Sequence, residues 1–476
     1  MNEITTSRRD WLRQAGALAL GGTGLVALGG CETLLDQIRH RPTRRNISTL
    51  ATNDPIVQAY RAAVSAMQAL PMSDARNWTR QAQIHNSFCP HGNWFFLPWH
   101  RAYLYYFETI CRKLAGDKTF ALPYWDWTCA RAVPAHFWGA GNALNHTRSV
   151  GPSDQLSDAV VGETVLNDIL DLNDFQQFGS GFATQLRPST SYGQLEATPH
   201  NSVHGWMGGD MGTFMSPLDP VFWCHHNMIE SCWVEWNLNR LKPNPNDATW
   251  YQFSLANMFC DADGDPVTNL NVAVTALMPL LSYQFDNQML PCPAVGASIK
   301  IRDIDAYALR EFLKKGGPSG ITPLRSVAAE KAQTLRLNGV VSQALEWPEA
   351  IVNLLQATSD TQRIVLKAQN VTAQQAGDSF VRVFVNQPDA NAATPITDPH
   401  YAGSFAFFGA DHHAMGHTDG PAPDYLIDIT KTLQRLGGSA GRSVSFQFVL
   451  MPLRGSTALP AQVTIGSVNL SLSRLH

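Results

Sequence analysis

Two groups of histidines are where this sequence could do chemistry. The first is His85, His91 and His100, in Ile84-His85-Asn86-Ser87-Phe88-Cys89-Pro90-His91 and Phe96-Leu97-Pro98-Trp99-His100-Arg101. The second is His200 and His204, in Pro199-His200-Asn201-Ser202-Val203-His204, with the pair His225-His226 after Asp219-Pro220. A single histidine is usually a core residue bonded to a carbonyl. Three within one short stretch need another account. His200 and His204 are one helical turn apart and project together, the spacing for two ligands on one metal. Of His225 and His226 only one can point at a given metal. We expect His226 to be the ligand and His225 to support or pack. Six imidazoles with few carboxylates nearby favour copper over magnesium, calcium or a mixed-ligand iron site. Zinc also accepts three histidines, but two such triads on facing helices point to a coupled metal pair with room for dioxygen.

These ligands need helices to present them. From His100, the residues Leu104, Phe107, Cys111 and Leu114 follow at helical spacing, so His100 faces the core. Pro98 suits a helix start. His91 lies too far back to share that face and must approach from a loop. Asp219-Pro220 reads as an N-cap and first helical position, which puts His226, Ile229, Glu230 and Trp233 on one face. Apolar positions at helical spacing also mark 55–70, 99–115 and 220–237. From about residue 363 the pattern changes. Segments 363–369, 379–385, 443–451 and 462–471 alternate or run apolar with β-branched and aromatic residues, as strands do. The run 314–320, Lys-Lys-Gly-Gly-Pro-Ser-Gly, is the best linker candidate.

The motifs resemble those of tyrosinases and polyphenol oxidases, the type-3 copper proteins, closest to the plant-like branch found also in bacteria. His85…Cys89-x-His91…Leu97-Pro98-Trp99-His100-Arg101, with Phe120-Ala121-Leu122-Pro123-Tyr124-Trp125-Asp126-Trp127, looks like the first copper motif. Glu196…His200-x-x-x-His204-x-Trp206 and Asp210-Met211-Gly212…Asp219-Pro220-x-Phe222…His225-His226 look like the second. Tyr401-Ala402-Gly403-Ser404-Phe405, after His400, resembles the C-terminal domain of that branch. The resemblance implies a mainly α copper domain, a four-helix bundle holding two copper ions, followed by a C-terminal β-rich sandwich. His85, His91 and His100 would hold one copper, and His200, His204 and His226 the other. Dioxygen would be co-substrate for ortho-hydroxylation of monophenols and oxidation of o-diphenols to o-quinones. Cys89 would form a thioether to His91. Glu196 and Asn201 would hold a water that deprotonates the phenol. Gly205 would leave space above the site, with Phe214 or Met215 as gate. After the His pair this chain has Glu230-Ser231 where many members have Asp-Arg or Asp-Lys, which puts a supporting ion pair in doubt. The C-terminal domain would cover the site and keep the enzyme latent.

The remaining features bound these expectations. The chain has 476 residues, 44% hydrophobic and 16% charged, enough for two or three domains at roughly 100–200 residues each. A net charge of −4 excludes a basic nucleic-acid surface as the main business of the molecule. Arg8-Arg9 before the Gly-rich apolar run 15–30 fits a bacterial twin-arginine export signal. Leu28-Gly29-Gly30-Cys31 resembles a lipoprotein cleavage box, so a lipid anchor at Cys31 stands beside a soluble periplasmic or secreted product. The expected organisation is a signal at 1–30, a copper domain at 46–300, a linker at 301–345 and a β-rich domain at 346–476. The His412-His413-Ala414-Met415-Gly416-His417 run reads as an exposed loop. The partners implied are small phenols and dioxygen. Catechol oxidase without the hydroxylation step is the nearest alternative, followed by a haemocyanin-like dioxygen carrier and, more distantly, a zinc hydrolase.

Overall fold

Capping residues set the helices that surround the histidines. Asp54 accepts from the Ile56 N–H, with Pro55 first in helix α1 (Pro55–Ala69). Asn77 accepts from Thr79 and Arg80 at the head of α2 (Trp78–Phe88), which carries His85. Helix α3 (Phe96–Ala115) carries His100 and ends at Gly116, whose φ of 69° gives the left-handed turn that glycine allows at a helix end. It starts two residues before Pro98, which sits inside the first turn. A π-helical turn, Glu196–His200, contains Pro199 and runs into α4 (Asn201–Met207). Such turns recur at functional sites. Helix α5 (Val221–Val234) carries His225 and His226, and Asp219 accepts from its Val221 N–H. Helices α1 and α5, together with α6 (Val272–Leu281), pack on α3 around one apolar core rich in tryptophan.

The computed structural model describes residues 41–286, 321–356, 358, 361–409, 422–437, 441–454 and 461–475. The expected signal 1–30, Cys31, the linker candidate 314–320 and the histidine run 412–417 lie outside them. Among the described residues no helix is long and apolar enough to cross a membrane.

Strand β1 (Thr43–Arg44) pairs with β3 (Gln284–Phe285), closing the helical part on itself. The C-terminal part is built from β4 (Ile321–Ala329), β5 (Gln333–Arg336), β6 (Val340–Glu346), β7 (Gln362–Gln369), β8 (Thr372–Gln374), β9 (Ser379–Val385), β10 (Tyr401–Ala406), β11 (Asp424–Asp428), β12 (Ser443–Pro452), β13 (Gln462–Ile465) and β14 (Ser467–Leu475). They form sheets in the orders β10-β9-β12-β6 and β5-β13-β8, and β11-β7-β14-β4 in a third sheet. The third sheet gains a fifth strand from the helical part. Strand β2 (Ser191–Tyr192) pairs in parallel with β11, Asp424 opposite Ser191 and Tyr425 opposite Tyr192.

The four expected strand segments all appear, the last split at Gly466 into β13 and β14. The linker expectation needs correction: 321–345, read as linker, lies within strands β4, β5 and β6 and the turns between them. Their signal was weak for a physical reason. Strand β4 is a sheet edge, exposed along most of its length and holding Pro323, so it lacks the apolar run of an inner strand. In β6 only Leu345 is buried.

Candidate metal centre

The six expected ligands come together from five places in the chain. α2 supplies His85, the Cys89–Asn93 loop His91, α3 His100, the π-turn and α4 His200 and His204, and α5 His226. In the first triad the ring centroids are 5.4–5.6 Å apart. In the second they are 4.5, 4.9 and 5.3 Å apart. The triads face each other, His100 stacking on His226 at 4.5 Å and His91 lying 5.6 Å from His200.

Hydrogen bonds fix which nitrogen is available in four of the six rings. A carbonyl can only accept, so the ring nitrogen facing it carries the proton. His85 Nδ1 donates to the Phe214 carbonyl at 2.8 Å, His100 Nδ1 to Phe96 at 2.8 Å and His204 Nδ1 to Met211 at 2.6 Å. Asn201 gives its amide hydrogens to the Ala406 carbonyl, which turns its Oδ1 to His200 Nδ1 at 2.8 Å. In these four rings Nε2 therefore presents a lone pair. Yet His85 Nε2 lies 3.3 Å from His100 Nε2, and His204 Nε2 lies 3.1 Å from His226 Nε2. The first pair sets two lone pairs against each other, which cannot bond. The Nε2 atoms of His91 and His200 are buried without any hydrogen-bond partner. Protonation is no escape, because burial holds all six imidazoles below their usual range, His100 at about 3 and His204 at about 4. Converging, dehydrated, neutral imidazole donors fit metal cations of the copper class.

His225 and His226 differ in their surroundings. The Trp127 indole N–H can only donate, and it reaches His225 Nδ1 at 3.2 Å. His225 thus has one ring nitrogen engaged by Trp127, while its Nε2 is buried without a hydrogen-bond partner, and all four histidines of this group lie close enough to share a metal. His226 turns its Nε2 to His204 Nε2 at 3.1 Å and stacks its ring on His100, so it touches both triads.

Behind the ligands is a buried ionic frame. Arg101, next to His100, gives Nε to both carboxylate oxygens of Glu230 at 2.9 Å and lies 3.4 Å over the Trp233 ring. Tyr283 adds a 2.6 Å bond to Glu230. The doubt about a supporting ion pair at Glu230-Ser231 is thus answered: Glu230 pairs with Arg101 across α3 and α5. Arg44 pairs with Glu108 at 2.9 Å and donates to Asn227 at 2.8 Å.

The other expected site residues fall as follows. Glu196 is fully buried, accepting from the Gly92 N–H at 2.9 and 3.0 Å and from Ser180 Oγ at 2.6 Å. Burial pushes its carboxyl up to about 8, although these bonds oppose the shift. Asn201 bonds to His200 and Ala406, so the two side chains are held by different partners. Cys89 Sγ lies 3.6 Å from His91 Nδ1 as a buried thiol that desolvation makes harder to ionise. Phe214 places its ring 5.6 Å from His91. Met215 is placed by its backbone N–H, bonded to Thr213 Oγ1 at 3.0 Å. Gly205 needs correction. It does not open space above the metals; a Cβ there would lie 2.0 Å from the Gly377 carbonyl of the C-terminal part. It is small because two backbones meet there.

The residue the sequence did not reveal is Phe408, just beyond β10. Its ring lies 4.6 Å from His91, 4.7 Å from His204, 5.8 Å from His200 and 5.2 Å from Phe214. It fills the space between the triads and is 7% exposed. Nothing in its local sequence marks it apart from an aromatic run, Phe405-Ala406-Phe407-Phe408. The C-terminal part is fastened around it: Arg454 donates to the Gly205 and Trp206 carbonyls at 3.1 and 2.8 Å, and Thr198 donates to Ser404 at 2.5 Å.

Comparison with known proteins agrees with this geometry. Residues 74–165 and 139–239 match the common central domain of tyrosinase, and 333–472 match the chloroplastic polyphenol oxidase C-terminal domain. A tyrosinase of Hahella sp. (strain CCB-MM4) is 26% identical over 83% of this chain and 91% of its own. Polyphenol oxidase A1 of Vicia faba, chloroplastic, is 25% identical over 90% and 77%. Among solved structures, a latent aurone synthase superposes with a TM-score of 0.66 at 22% identity, covering 96% of this chain and 92% of that one. Latent apple tyrosinase gives 0.65 at 22%, covering 92% and 97%. These structures share the fold.

Proposed function

We propose that this chain, which belongs to the tyrosinase and polyphenol oxidase family of copper oxidoreductases, acts on monophenols as well as o-diphenols, consuming dioxygen and forming o-quinones. When bound, the two coppers supply the redox chemistry. His85, His91 and His100 would hold one, and His200, His204 and His226 the other. Carbonyls and Asn201 orient four of the six rings before metal arrives, so little reorganisation is left to binding.

Hydroxylating a monophenol first requires removing its proton. The observation that carries the reading is Glu196: a fully buried carboxylate beside the His91 loop, with a proton affinity raised to about 8. A general base works best when its pKa lies near the working pH. Asn201 contributes by orienting His200, and a water relay would carry the proton to Glu196. A thioether from Cys89 to His91 remains part of this proposal, supported by the 3.6 Å approach of the sulfur to the ring. Phe408 holds the intact chain closed, and Phe214 gates the opened site. Export by the twin-arginine route is our reading of residues 1–30.

The test is oxygen uptake by the copper-loaded chain, intact and after limited proteolysis, with tyramine and with catechol. Turnover of both, with a lag on tyramine, is the expected result. Turnover of catechol alone reduces the protein to a catechol oxidase. Reversible oxygenation without quinone would mean a carrier.

A further inference from the structure

Among the described residues, Arg187 is a cation at the rim of the site with no carboxylate partner. Arg187 places its guanidinium 5.5 Å from the centre of the Phe214 ring. Its Nη1 donates to the Asn86 and Ser87 carbonyls, at 3.3 and 3.0 Å, where the helix bearing His85 ends. That fixes the side chain while leaving Nη2 and Nε for other partners. No carboxylate pairs with Arg187 among the described residues, whereas Arg101, Arg148 and Arg44 are each matched to a buried acid.

Phe408 shows where an aromatic ring fits between the triads. Its centre is 5.2 Å from that of Phe214, and Phe214 is 5.5 Å from the Arg187 guanidinium. A ring in that position is therefore no more than about 11 Å from the charge. A three-carbon acid chain para to the hydroxyl reaches about 6 Å from the ring centre, at about 1.5 Å per bond. A charge-assisted N–H···O contact spans about 3 Å more. The two reaches sum to about 9 Å, of the same order as that upper limit, and a forked guanidinium suits a carboxylate better than any neutral group.

We propose that Arg187 is a specificity-determining residue that favours phenols whose para side chain ends in a carboxylate. This rests on the reading of the site as a phenol oxidase and leaves the hydroxylation step aside, so o-diphenols serve as probes. The copper-loaded full chain, opened by limited proteolysis, is assayed with 3-(3,4-dihydroxyphenyl)propionate and its methyl ester. The readout is the ratio of kcat/KM for acid over ester. In Arg187→Gln this ratio should fall about tenfold to a hundredfold, the usual worth of a hydrogen bond to a charged group, with the change in KM. Arg187→Lys should recover part of it. In the unsubstituted protein the ratio should also fall as salt is raised, because the contact is at the rim. An acid-to-ester ratio that is the same in both variants and flat in salt overturns the proposal. If neither substrate is oxidised by the unsubstituted protein, the phenol-oxidase reading fails instead, and the Arg187 proposal falls with it.

Discussion

Replacing Phe408 with alanine in the intact chain tests whether the C-terminal part closes the site. The ring is 7% exposed and lies within 6 Å of His91, His204, His200 and Phe214. Burying a phenylalanine contributes about 1.5–3 kcal/mol. The other fastenings, from Arg454, Thr198 and the β2–β11 pairing, stay in place, so Phe408→Ala loosens the plug without detaching the domain. Taking about 2 kcal/mol, and tenfold per 1.4 kcal/mol, the open fraction rises roughly thirtyfold. Oxidation of catechol by the unproteolysed chain should rise by that factor, up to the ceiling set by the proteolysed enzyme. After proteolysis the two proteins should agree. If intact Phe408→Ala is as slow as the unsubstituted chain, while both gain equally from cleavage, the plug reading is refuted.

Further outcomes follow from the site. Glu196→Gln should lower monophenol hydroxylation about a hundredfold, the usual worth of a general base, and leave catechol oxidation within a few-fold; equal losses on tyramine and catechol would exclude the base role. Because the folded protein holds Glu196 protonated up to about pH 8, native stability should decline as pH rises from the ordinary glutamate range to about 8, where the unfolded chain is already ionised. Melting curves against pH should show that decline flattened in Glu196→Gln, and hydroxylation should rise with pH toward 8. His226→Ala should bind one copper per chain by metal analysis while His225→Asn keeps two; the reverse would overturn the assignment of His226 as the ligand. Arg101→Met should destabilise the fold by about 3–5 kcal/mol, since it strands Glu230 as a buried charge; a denaturation midpoint within error of the unsubstituted protein would contradict it.

Much of the site was legible because ligands sit on periodic structure. His200 and His204 must share a face wherever that segment is helical, and His100 had to face inward once Leu104, Phe107 and Cys111 followed at its spacing. Strands β7, β9 and β12 were legible because they are inner strands with dense apolar patterning. Edge strand β4 was not, since exposure removes the pattern. Gly205 was misread because nothing in the residues around it says that Gly377 approaches from far along the chain.

The sequence by itself determined the candidate donor set, the helical register that presents it and the metal class that such a set suits. Those are local properties: side-chain chemistry and a period of 3.6 residues. Only the tertiary structure decided which nitrogen is free in four of the six rings, because that depends on which carbonyl or amide oxygen lies opposite. It also decided that Glu230 finds its cation in Arg101, that Phe408 stands between the triads, and that Arg187 meets the rim. Each is a contact between segments far apart in the chain, set by how the helices and sheets pack.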